Sequence, residues 1–113
     1  MKTAAEIVHE QLTFYNNHDL EGFLSTYHED AMIHSFPDGA VIMAGKEAMR
    51  LRYAGRFSNP ELHAKLLSQI NVGNIVVYHE SVSGIAKDAL VNVAVLYEVQ
   101  GGLIKNAWFA YGN

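Results

Sequence analysis

Apart from a short strand hairpin within residues 31–43, the apolar residues of this chain keep a helical spacing to about residue 57 and an alternating spacing from Leu62 onward. A chain that switches period once, with helices first and strands afterwards, folds as α+β rather than as repeated β–α units. With 113 residues it has enough chain for one core and too little for two.

Thr3 and Glu6 have the pattern of a capping box, followed by a broad apolar stripe of Ile7, Val8, Leu12, Phe14 and Tyr15. Asn16-Asn17-His18 breaks this helix, and Asp19 can cap a second, whose apolar side is Leu20, Phe23, Leu24 and Tyr27. Residues 31–36 read as a short strand ended by the turn tripeptide Pro37-Asp38-Gly39, with Val41-Ile42-Met43 as its hairpin partner. A third helix is expected from Lys46 to Phe57, carrying Ala48, Met49 and Tyr53 on one face and stopped by Ser58-Asn59-Pro60.

In the second half Leu62, Ala64, Leu66, Ile70 and Val72 alternate with polar residues, while Leu67 and Ser68 break the rule. Gly73-Asn74 is a hairpin signal. Ile75 to Ile85, Ala89 to Val99 and Leu103 to Tyr111 then read as long strands. The expected architecture is a single domain over residues 1–113, with N-terminal helices packed on one face of a curved antiparallel sheet.

Twelve acidic residues against eight basic ones, a net charge of −4, argue against nucleic acid as a partner. There are no cysteines, so disulfides and thiolate metal sites are excluded. No stretch approaches the roughly 20 apolar residues of a membrane span, and no signal-peptide core is visible at the N-terminus. A cytoplasmic protein with no membrane partner is the expectation. Six histidines invite a metal reading, but none has the spacing of a known site, so neither metal nor cofactor is expected. Arg50, Arg52 and Arg56 form a modest basic face on the third helix, read as solvated or ion-paired.

The element order resembles the cone-shaped, cystatin-like fold of the nuclear transport factor 2-like superfamily, which includes ketosteroid isomerases and SnoaL-like cyclases. Short segments carry the likeness: NNHDL at residues 16–20, YHEDAMI at 27–33, GKEAMRLRY at 45–53, and the closing hairpin from Tyr97 to Phe109. An isomerase of this type needs a carboxylate base and an oxyanion hole. In this sequence the base aligns with Ser35, the oxyanion tyrosine with Gln11 and the protonated aspartate with Val95. All three groups are therefore missing, while two supporting tyrosines are matched by Tyr27 and Tyr53.

A one-residue shift would place His34 where the base belongs, and an inward imidazole would restore base chemistry. Because strand side chains alternate, only one of His34 and Ser35 can face the interior; the other reading puts His34 on the outer face. The candidate catalytic residues are thus His34 and Ser35. Gln11, Tyr15, Tyr27, Tyr53, Val95 and Trp108 are the candidate ligand-binding residues.

Two functions follow from the likeness. One is a pocket protein for a small apolar carbonyl-bearing or phenolic molecule, acting, if at all, as an isomerase, cyclase or hydratase rather than as an efficient ketosteroid isomerase. The other is a non-catalytic dimerisation or carrier module whose cavity is filled by its own side chains. A homodimer through the outer sheet face, at positions such as Ala94, Leu96 or Val82, is implied in either case.

Overall fold

The computed structural model describes residues 2–112. Helix α1 (Ala4–Asn16) opens on the expected capping box, with the Thr3 hydroxyl accepting the Glu6 N–H at 3.1 Å and Glu6 Oε1 accepting the Thr3 N–H at 2.8 Å. Helix α2 (Leu20–Ser25) is capped by Asp19, whose Oδ1 accepts the Gly22 N–H at 2.9 Å. Helix α3 spans Lys46–Phe57.

Six strands follow the chain as β1 (Tyr27–Ser35), β2 (Val41–Ala44), β3 (His63–Val72), β4 (Ile75–Ala86), β5 (Ala89–Gln100) and β6 (Leu103–Tyr111). They form one curved, unclosed sheet in the order β2-β1-β6-β5-β4-β3. All neighbours are antiparallel except β1 and β6, which run parallel.

Tyr27 is not on α2, as its spacing suggests, but is the first residue of β1. The helix ends early because the Thr26 hydroxyl turns back to the Phe23 carbonyl at 2.7 Å. The Thr26 carbonyl then accepts the Ile104 N–H of β6 at 2.9 Å, drawing the chain into the sheet two residues after the helix ends.

The irregularity at Leu67 and Ser68 is a bulge. Before it Leu66 pairs with Glu80, and after it Ser68 pairs with His79. Opposite faces alternate along a strand, so the extra residue reverses the side on which every later side chain falls. Ile70 and Val72 consequently lie opposite Val77 and Ile75 on the outer face instead of continuing the inner row of Ala64 and Leu66. In the outer strands' central region the alternation is regular. Val76, Tyr78, Glu80 and Val82 of β4 and Val91, Val93, Val95, Tyr97 and Val99 of β5 all point inward and are buried. Val82 is therefore an inner residue, 3% exposed, and not an outer one, whereas Ala94 and Leu96 do face outward.

Helix α1 crosses the inner face over β3 to β6, while α3 lies against α2, β1 and β2. Between them sits an aromatic cluster of Tyr15, Phe23, Tyr27, Tyr53 and Phe57, with neighbouring ring centres 4.8–6.5 Å apart.

Candidate functional site

The helices and the inner sheet face enclose a cavity of about 20 Å³, room for about one water molecule. Its walls bring together Gln11 and Tyr15 of α1, Tyr27 of β1, Tyr53 and Arg56 of α3, Glu80 of β4 and Tyr97 of β5. Gln11 and Tyr15 stand one turn apart on the buried stripe of α1, and Tyr53 and Arg56 are neighbours at three residues on α3. Alternation along β4 puts Glu80 on the same face as Tyr78 and Val82.

Glu80 is the unusual member. It is 6% exposed, and its carboxyl is pushed up to about 7 from the ordinary 4.5 by burial alone, with no cation or donor pulling the other way. Among the described residues no hydrogen bond or ion pair reaches it. A carboxyl in such a site exchanges protons near neutral pH.

Burial also raises the hydroxyls around it. Tyr27 and Tyr97 lie well above the usual tyrosine range, burial first and the neighbouring tyrosines and Glu80 second. Burial likewise lifts Tyr53, to about 12, and Tyr15, while the Arg56 guanidinium pulls both down. These hydroxyls stay protonated at neutral pH and are standing donors. Among the described residues, Gln11 Oε1 is buried without a partner, as is the Tyr78 hydroxyl. A buried acceptor left open is worth about 1–3 kcal/mol to whatever fills it.

Of the residues singled out from sequence, Gln11, Tyr15, Tyr27 and Tyr53 meet at this cavity. Val95 is fully buried on the inner face between Tyr78 and Phe109 but does not line it. Trp108 lies on the opposite side of the sheet, paired with the outward Leu96. His34 is there too: its ring stacks on Trp108 at 5.1 Å, and its Nε2 is 3.0 Å from Asn106 Oδ1. Of the two readings of His34 the structure has the outer one, because β1 places its even-numbered residues Met32 and His34 outside while Ala31 and Ile33 are buried. The Ser35 hydroxyl donates to the Asp38 carboxylate in the β1–β2 turn and does not line the cavity.

Three of these cavity residues, Arg56, Glu80 and Tyr97, were not among the candidates read from the sequence. The period-two pattern of β4 was enough to place Glu80 inside, since it alternates in step with Val76, Tyr78 and Val82. Arg56 had no comparable signal, because an arginine in the last turn of a helix is usually solvated.

A larger groove of about 740 Å³ runs along the outside of the β4–β5 turn, past Asn59, Glu61, Ser83, Lys87 and Asp88. Glu61, Lys87 and Asp88 are exposed and the groove opens broadly to solvent, so it offers no desolvated chemistry. Among the described residues no three histidines or carboxylates gather closely enough to hold a metal ion, and no helix is long and apolar enough to cross a membrane.

The family model for the SnoaL-like domain matches residues 8–107. A search of curated proteins finds no match. Among solved structures, an uncharacterised cystatin-fold protein from Novosphingobium aromaticivorans superposes with a TM-score of 0.84 at 23% identity, covering 96% of this chain and 98% of that one. A nuclear transport factor 2-like protein of unknown function from Cytophaga hutchinsonii gives 0.83 at 14% identity, with 99% and 92% covered. A protein with the ketosteroid isomerase-like fold from Catenulispora acidiphila, in complex with trimethylamine, gives 0.76 at 20% identity, with 95% and 85% covered.

Proposed function

The chain belongs to the SnoaL-like domain family, and on that premise we propose that it binds a small, largely apolar carbonyl compound in the cone interior and moves a proton on it through Glu80. One observation carries this reading: the cavity holds a buried carboxyl near 7 with no partner among the described residues, beside tyrosine hydroxyls that remain protonated. The missing isomerase groups make an efficient ketosteroid isomerase the wrong expectation, and the cavity is far too small for a steroid.

The chemistry is proton abstraction next to a carbonyl. The Glu80 carboxylate takes the α-proton, the C–H electron pair moves into a C–C double bond, and the carbonyl oxygen becomes an enolate. Tyrosine hydroxyls and the Gln11 amide N–H are the groups available to hold that oxygen. Returning the proton from Glu80 to a different carbon completes an isomerisation. The walls must part to admit a ring, and the residues nearest solvent, Ile85, Arg56 and Tyr111, are those with room to move.

The small volume supports a second reading, a cone filled by its own aromatic side chains that serves as a carrier or dimerisation unit. Deuterium exchange at C2 of cyclohexanone in D₂O separates the two. The first reading expects the protein to accelerate exchange and Glu80→Gln to abolish the acceleration. Exchange no faster than in buffer, with no binding of cyclohexanone or phenol, supports the second.

A further inference from the structure

Arg56 is the part of the cavity wall that proton transfer leaves unexplained. On the same helix Arg50 is paired with Glu21 and Glu47. Among the described residues Arg56 has no carboxylate partner. Its guanidinium carbon instead lies 5.2 Å from the centre of the Tyr53 ring. Seated over an aromatic face and hydrogen-bonded to the Tyr15 side chain, the guanidinium still has further N–H donors to offer a planar anion. Glu80 shares the cavity but does not neutralise it, since no cation acts on the Glu80 carboxyl. The cavity therefore has a cationic wall at α3 and a separate proton-exchanging group on β4.

We infer that Arg56 is a specificity residue for an organic carboxylate, whose charged end rests on the guanidinium while its apolar body enters among Tyr15, Phe23 and Tyr53. This rests on the reading of the cone interior as a binding site and names the class of molecule it takes. A last-turn arginine stabilises a helix end from anywhere in solvent. That role does not require it to fold back over Tyr53 and line a cavity. The whole chain carries a net charge of −4, so an anion reaching this wall is drawn by a local cation against the general field. Half-buried, the guanidinium meets a carboxylate with part of the water excluded, where charge-assisted bidentate bonds are strongest.

The test compares cyclohexanecarboxylate with cyclohexanecarboxamide, which share shape and differ in charge, by calorimetric titration of the wild-type protein, Arg56→Gln and Arg56→Lys. The expected result is a preference of about tenfold for the carboxylate in the wild type, a typical size for one charge-assisted contact. Arg56→Gln should abolish the preference without weakening the carboxamide, and Arg56→Lys should keep part of it. Thermal unfolding of each variant checks that the fold is intact. Equal binding of the two probes by the wild type, or a preference that survives Arg56→Gln, overturns the role of Arg56 while leaving the cavity reading standing. Binding of neither probe overturns both.

Discussion

Asn16 holds both backbone polar groups of Ala64: its Nδ2 donates to the Ala64 carbonyl at 2.9 Å, and its Oδ1 accepts the Ala64 N–H at 2.8 Å. One side chain thus replaces a neighbouring strand at the free edge of β3. Two residues on, His18 Nε2 lies 2.7 Å from the Leu62 carbonyl and makes a second tie. The segment that ends α1 is also what fastens the helical layer to the sheet.

Asn16→Ala should lower stability by about 2–3 kcal/mol, since two bonds are lost and partly buried backbone groups are left open. Asn16→Asp should be at least as harmful, because an acceptor would face the Ala64 carbonyl. Urea unfolding followed by circular dichroism measures both. A loss below about 0.5 kcal/mol, the range of ordinary surface changes, would show that water replaces the clamp.

Glu80 gives stability a pH dependence of definite sign. Its folded-state pKa, about 7, exceeds the ordinary 4.5, so between these values the folded protein holds a proton that the unfolded chain has released. Stability contributed by this group therefore falls as pH rises from 4.5 to 7 and is flat on either side. The full effect is on the order of 3 kcal/mol. The difference in unfolding free energy between Glu80→Gln and the wild type should grow across that window, with the variant the more stable at pH 8. A constant difference from pH 4.5 to 8 would show that Glu80 ionises normally.

Gln11→Leu removes a buried acceptor that has no partner. It should raise stability by about 1 kcal/mol and weaken a bound phenol by about 1–3 kcal/mol. Higher stability with unchanged phenol affinity would make Gln11 a tolerated polar residue of a packed core.

The outer sheet face predicts a homodimer. Ile70, Val72, Ile75, Val77, Leu96 and Trp108 lie on it with no helix to cover them. Sedimentation at micromolar concentration should give twice the 12.5 kDa chain mass. Leu96→Glu should shift it to the monomer while leaving the helical signal intact. A wild-type monomer under those conditions would refute the expectation.

Much of the fold was legible because each element announces its own ends. The capping box, Asp19, the stop at Pro60 and the glycine turns are local features whose physics does not depend on distant residues. The failures have the opposite character. Tyr27 leaves its helix because Thr26 meets Ile104, and His34 faces outward because of how β1 sits beside β6. Both depend on residues more than 70 positions away, which no local pattern contains. In the site, Gln11, Tyr27 and Tyr53 could be placed from resemblance and Glu80 from alternation, but the absence of a partner for Glu80 exists only once the chain is folded.

The bulge at Leu67 has a consequence for how such a protein changes over generations. Loss of that single codon would join Ser68 directly to Leu66, still opposite His79, so Ile70 and Val72 would keep their places on the convex side. The outer apolar row and the cavity residues Glu80 and Tyr97 would both be left in place. The bulge is therefore a spare residue in β3, a place where the gene can lose one codon without turning either face of the sheet.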